Sequence, residues 1–208
     1  MRTLTLATTL VLLTPFMPWT GGSLAGPESD LTGNPTPGFT MALFDAASLN
    51  GLLDNPDCTG IRFYNAMASL EDQDGTVVAI GISADGNELS GGTPYILYSG
   101  MARGIPMMQP MSQNAAATAC GNMTKKGHAS YSASFTKADL LALLTVDRCQ
   151  ALRVVPDMCD NGNTMRVSAV AIEDGAPVEL GEGEGYERSC GDPCPTVCGP
   201  AGNYINSK

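Results

Sequence analysis

Residues 44 to 64 (FDAASLNGLLDNPDCTGIRFY) align without a gap on residues 135 to 155 (FTKADLLALLTVDRCQALRVV), at a constant shift of 91. Phe44, Ala47, Leu49, Leu52, Leu53, Cys58 and Arg62 meet Phe135, Ala138, Leu140, Leu143, Leu144, Cys149 and Arg153, seven identities in 21 positions. After a two-residue deletion Val78, Asp85 and Gly86 meet Val167, Asp174 and Gly175. The shift then returns to 91, where Glu88 and Leu89 meet Glu179 and Leu180, and Tyr95 meets Tyr186. A chain that repeats itself at this scale is expected to be built from repeated structural units.

The local chemistry of the two segments agrees. Asp45 and Thr136 precede apolar runs of helical spacing, where a side-chain oxygen caps the free N–H groups of a first turn. Thr136 with Asp139 also has the form of a capping box. Ile61 and Phe63 then alternate with Arg62 and Tyr64, and Leu152 and Val154 with Arg153 and Val155, the period of a strand with one buried face. Asp74-Gly75 and Asn161-Gly162 suit a tight hairpin turn, a second strand follows near residues 76–83 and 165–172, and Asp85-Gly86 and Asp174-Gly175 end it. A third strand is expected near residues 95–98 and 185–189. The expectation is an α+β protein of two pseudo-equivalent αβββ repeats with antiparallel sheet, stapled by disulfides.

The N-terminus combines Arg2, an apolar run from Leu4 to Trp19 and a small-x-small site at Ser23-Leu24-Ala25, the order of a cleaved secretory signal. The run is short for a membrane span and is broken by Pro15 and Pro18. Cleavage after Ala25 leaves 183 residues and moves the formal charge from −10 to −11. A chain this acidic, without a basic patch, is not a nucleic-acid binder, and no later segment is long and apolar enough to cross a bilayer. The expected location is the periplasm, the cell surface or the exterior.

An oxidising compartment makes the seven cysteines Cys58, Cys120, Cys149, Cys159, Cys190, Cys194 and Cys198 candidates for disulfides. Six cysteines allow 15 connectivities and any of the seven can be the odd one. Their places after equivalent helices suggest Cys58 with Cys120, and Cys149 with one of Cys190, Cys194 or Cys198. The spacing of Cys190, Cys194 and Cys198 lacks the second pair of a structural zinc site and is no thioredoxin-type C-x-x-C. Those three, together with Met107, Met108, Met111 and the single histidine His128, are nevertheless the candidates for soft metal ligation.

Residues 71–75 and 160–163 have a flavour of calcium loops but lack the closing bidentate Glu, so turn chemistry explains them. Arg62 and Arg153 are matched charges that either pair with acids across a sheet or form a twofold-related anion site. With one His, no G-x-S-x-G and no phosphate-binding Gly loop, no catalytic set can be named and no cofactor is expected.

Three motifs, Cys58-Thr-Gly-Ile-Arg62-Phe-Tyr64, Val78-Ala-Ile-Gly-Ile-Ser-Ala-Asp-Gly-Asn87 and Cys194-Pro-Thr-Val-Cys198, carry a resemblance. Each copy, over about 60 residues, resembles a group of small, uncharacterised exported bacterial proteins with a C-x-G-I-R-x-Y strand and a terminal C-P-x-x-C. The second copy departs from it at Gln150-Ala151-Leu152-Arg153, and the first lacks the terminal motif, where Cys120 stands as a replacement. The resemblance implies the fold and the duplication and carries no mechanism.

The resulting division is a signal peptide at 1–25, a flexible leader at 26–38, repeat one at 39–99, a Met/Ala/Gly-rich connector at 100–130, repeat two with its Cys-rich tail at 131–198 and a C-terminal tail at 199–208. The connector has no clear period and is long for a simple link, so it is the expected contact for a protein partner or for self-association. A non-catalytic structural or binding component of the envelope or exterior is the first functional reading. A copper or zinc protein using the connector or the Cys tail is the second, and a hydrolytic enzyme with unassigned carboxylates the third.

Overall fold

The computed structural model describes residues 38–194 apart from 90 and 161. The signal segment, nearly all of the leader, Cys198 and the tail from 195 onward lie outside the described residues. In order come β1 (Ala42–Asp45), α1 (Ala46–Leu53), β2 (Gly60–Ala66), β3 (Thr76–Ile82), β4 (Tyr95–Ala102), β5 (Ile105–Met111) and α2 (Gln113–Lys125). They are followed by β6 (Ser132–Thr136), α3 (Lys137–Leu144), β7 (Ala151–Cys159), β8 (Gly162–Glu173), β9 (Ala176–Glu179), β10 (Glu187–Arg188) and β11 (Asp192–Cys194).

The two expected caps form. Asp45 accepts from the Ser48 N–H at 2.8 Å and Thr136 from the Asp139 N–H at 3.2 Å, which satisfies a first-turn donor in each short helix. A strand precedes each helix, however, where none was expected. Phe44 and Phe135 are strand residues whose chains turn into helix at the cap.

These leading strands decide the architecture. All ladders are antiparallel, in a five-stranded sheet of order β1-β7-β8-β10, with β9 also on β8, and a six-stranded sheet of order β11-β6-β2-β3-β4-β5. Strand β1 pairs with β7, with Ala42 opposite Val154 and Asp45 opposite Ala151. Strand β6 pairs with β2, with Ala133 opposite Phe63 and Thr136 opposite Gly60. Each leading strand therefore crosses to the sheet that holds the other helix's following strands.

A single apolar cluster joins the two sheets. Ile61, Phe63 and Ala79 enter it from the six-stranded sheet, Leu152, Val154 and Val167 from the five-stranded one, and Leu49, Leu52, Leu140 and Leu143 from α1 and α3. Phe63 stands between Phe44 and Phe135, with ring centroids 5.3 and 6.0 Å away in edge-on contacts. A second cluster lies on the opposite face of the six-stranded sheet, where Tyr64, Val78, Ile80, Tyr95 and Leu97 meet Ala116, Ala119 and Cys120 of α2.

Helix α2 overturns two sequence expectations. Residues 100–130, read as a connector without a clear period, complete β4 and form the edge strand β5 and the helix α2. The buried stripe of α2 is Ala116, Ala119, Cys120, Asn122 and Met123, too small and polar to read as an apolar period. The helix ends in a Schellman motif, in which Gly127, at φ +82°, donates to Thr124 O at 3.0 Å and His128 to Met123 O at 3.1 Å. Because α2 covers the outer face, β2 is buried on both faces rather than one.

Turns also differ. Asp174 and Gly175, at φ 50° and 80°, make the expected turn at the end of β8, and it is a two-residue hairpin, as is the one at the unanticipated Arg103 and Gly104, at φ 51° and 77°. Asp74-Gly75 does not, since β2 and β3 are joined by residues 67–75. Gly75 is needed instead for close approach, its N–H bonding Gly38 O at 2.8 Å where a Cβ would stand 2.4 Å from that oxygen. Asn161 is outside the described residues, and Gly162 opens β8. In place of a lone third strand after β8, the chain supplies β9 and then the short β10.

The cysteine pairing is corrected. Cys159 and Cys190 form a disulfide with Cα atoms 5.8 Å apart, whereas Cys58, Cys120 and Cys149 are free thiols. Cys58 lies in the cluster between the sheets and Cys120 in the cluster under α2, so the six-stranded sheet separates them. Cys149 instead directs its thiol to Ala151 O at 3.4 Å.

Candidate functional site

On the α2 side of the six-stranded sheet, Arg62 and Tyr64 share one face of β2 by strand alternation. Arg62 is only 2% exposed and donates from Nε to Ser134 Oγ, its neighbour in the β2–β6 ladder, at 2.9 Å. The chain after β3 folds back so that Glu88 bridges to Ile82 and Leu89 N–H bonds Gly81 O at 2.9 Å. That return buries the Glu88 carboxylate, 7% exposed.

A buried carboxylate requires donors to offset its lost hydration. Tyr64 donates its hydroxyl to Glu88 Oε1 and Tyr95 donates to Oε2 at 2.6 Å. Burial raises the Tyr64 pKa far above its ordinary value near 10, the Glu88 charge raises it further, and the Arg62 guanidinium partly opposes both. Burial, then the Glu88 charge, likewise raises the Cys120 pKa, so that thiol stays protonated and is no nucleophile.

Beside this network the sheet face opens into a cleft of about 310 Å³, lined by Thr59, Arg62, Ser83, Asp85, Ser134 and Thr136 among others. Ile82, Ala84 and Phe135 line it as well, and Asp85 stands exposed at the Asp85-Gly86 turn.

The five-stranded sheet treats its own arginine differently. Arg153, on β7, forms an ion pair through Nη2 with Glu179 Oε1, and Ser168 Oγ donates to the same oxygen at 3.1 Å. Leu43, fully buried, stands opposite Arg153 as Ser134 stands opposite Arg62. Gln150 stands before β7 as Thr59 stands before β2, and its Oε1 accepts from Ile172 N–H at 2.6 Å. Glu88 and Glu179 were aligned in the sequence, but nothing local marked Glu179 as the partner of Arg153, Glu88 as buried, or Tyr64 and Tyr95 as its donors.

Among the described residues, the candidate metal ligands are not brought together. Met107 is 46% exposed, while Met108 packs against the cluster between the sheets and Met111 against the cluster under α2. His128 is held at the end of α2 by the Schellman motif. Cys190 is oxidised, Cys194 closes β11, and Cys198 lies outside the described residues. Among the described residues, the one group that gathers three potential ligands is Asp157, Cys159 and Cys190, and its two sulfurs are already joined to each other.

No helix of the described residues is long and apolar enough to cross a membrane. No family model, curated protein or solved structure matches the chain.

Proposed function

We propose that the protein is an exported, non-catalytic binding component of the cell envelope or its exterior, built from two diverged copies of one β-α-β-β unit. The copies are supported by the aligned sequence, by helices that begin at equivalent caps, and by leading strands that pair in equivalent registers. Export rests on the N-terminal sequence pattern and is compatible with the Cys159–Cys190 disulfide.

The observation that carries the binding role is the β4–β5 hairpin. Ile105 and Met107 are 63% and 46% exposed on an edge strand that also carries Pro106 and Pro110. Prolines deny a neighbouring strand part of its backbone pairing, so this edge favours contact through side chains. An apolar pair offered on a strand protected from sheet extension suits a protein partner better than aggregation.

The test is mild purification from the native host with identification of co-purifying proteins and bound metals. Deleting the segment would remove α2 and uncover a core, so Ile105→Glu with Met107→Glu is the informative change. Loss of the partner with an unchanged thermal transition supports the proposal. A partner-free protein carrying stoichiometric copper or zinc, or a partner retained by the double variant, overturns it.

A further inference from the structure

We infer that the tip of the β4–β5 hairpin selects the protein partner, and that the partner presents carboxylate groups among apolar side chains. The inference rests on the binding role proposed for this hairpin and adds the chemistry of what it binds. A strained backbone and an unpaired charge coincide at Arg103. Arg103 and Gly104 make their two-residue turn at φ 51° and 77°. Positive φ at both positions favours Asn, Asp or Gly at the first, and the hairpin at Asp174-Gly175 has Asp there. An arginine in the left-handed region costs stability, and residues held in this way concentrate at functional sites. Arg148 is held in the same region, at φ 66°, and its guanidinium is taken by Glu173. Arg153, Arg166 and Arg188 also pair with acids, and buried Arg62 bonds Ser134. Arg103 is exposed and makes no ion pair among the described residues, although Asp174 stands on the neighbouring tip.

The surroundings of that charge are apolar and held in place. Ile105, Met107 and Gln109 are exposed in alternation along β5 and so share its outer face, whereas Pro106 is buried. A Cβ on Gly104 would stand 2.9 Å from Gly175 Cα, so the tip of this hairpin rests on the tip of the β8–β9 hairpin. Backbone contact of this kind positions the tip before a partner arrives, which lowers the cost of ordering it in a complex. The guanidinium offers five N–H donors in a plane that matches a carboxylate, and Arg and Met are both enriched in protein interfaces. Ile105 and Met107 beside it suit apolar neighbours of that carboxylate. The chain as a whole is acidic, at a formal charge of −10, so an acidic partner is repelled from most of the surface and is steered to this tip.

The experiment is an NMR titration of amide shifts in the full mature protein at constant ionic strength. The probes are short peptides, blocked at both ends, that alternate leucine with aspartate, with serine or with lysine. Saturable shifts confined to residues 102–109 are expected with the aspartate peptide, at a Kd of ~1 mM. The serine and lysine peptides should bind more weakly by about threefold or more, the scale of one exposed charge pair. Arg103→Asn is the informative variant, because Asn suits the turn and keeps the hairpin. The rest of its spectrum should be retained, and its affinity for the aspartate peptide should fall to that for the serine peptide. Absence of saturation with the aspartate peptide, equal binding of the peptides, or undiminished binding in Arg103→Asn overturns the inference. Equal binding leaves the apolar surface of Ile105 and Met107 standing, and the double glutamate variant at those residues tests that surface separately.

Discussion

Ala46 donates its backbone N–H to the carbonyl of Gln150 at 3.0 Å, and the bond recurs 91 residues later, where Lys137 donates to Thr59 at 2.7 Å. Each bond ties the first residue of a helix to the residue just before a strand that lies on the far side of the chain's midpoint. Neither half completes a sheet without the other, since β1 belongs to the β7 ladder and β6 to the β2 ladder.

Unfolding should accordingly be a single cooperative event. Phe63→Ala removes a fully buried ring that touches Phe44 and Phe135, one from each leading strand. A loss of about 3–5 kcal/mol is expected. Urea titrations followed by far-UV circular dichroism and by tyrosine fluorescence should shift together, whereas separate midpoints for the two probes would contradict the shared core.

Alkaline pH should destabilise the fold through buried tyrosines. Burial raises the pKa values of Tyr64, Tyr98 and Tyr131 above the ordinary value near 10, so the native state keeps protons that the unfolded chain releases. Stability from these groups is fully present below pH ~10 and falls as pH rises above it. Absorbance at 295 nm should report part of the tyrosine ionisation only as the protein unfolds. Tyr95→Phe, which strips one donor from buried Glu88, should cost about 1–3 kcal/mol at neutral pH.

Two glycines should respond in opposite directions to alanine. Gly51 sits in α1 with nothing within 4 Å of a built Cβ, so Gly51→Ala should stabilise by about 0.5–1 kcal/mol through helix propensity. Gly60 lies where a Cβ would come 2.4 Å from the Phe135 carbonyl oxygen, in the backbone of the paired strand. Gly60→Ala should lower the thermal midpoint by forcing β2 and β6 apart. Equal effects of the two changes in thermal melts would contradict the register.

Among the described residues, reduction should act through one bond. The Cys159–Cys190 link closes a separation of 31 residues, for which chain entropy predicts a contribution of about 3–4 kcal/mol. Denaturation with and without reductant measures it, and Cys159→Ser should reproduce the reduced midpoint. In non-reducing peptide maps, Cys58 and Cys120 should react with alkylating agents only after denaturation, because both are buried. A Cys58–Cys120 peptide would refute the placement of these residues on opposite faces of the sheet.

Features whose causes lie within a few residues could be read from the amino-acid order alone. The Asp45 and Thr136 caps, the Asp174-Gly175 turn and the strand that carries Ile61 and Phe63 each depend on neighbours along the chain, and each forms, although that strand is buried on both faces and not on one. The sequence left open whether Arg153 pairs with an acid or lines an anion site, and the fold decided for the pair with Glu179. Which distant segments meet was settled only by the fold as a whole. The backbone groups of β1 and β6 can pair with many strands equally well, so the crossing of each to the other sheet comes from the shared core around Phe63 and has no local signature. For the same reason the small residues of α2 became a buried stripe only once a sheet face lay beneath them. The return of the chain after β3 is what buried Glu88 between two tyrosines, and the six-stranded sheet placed Cys58 and Cys120 on its opposite sides.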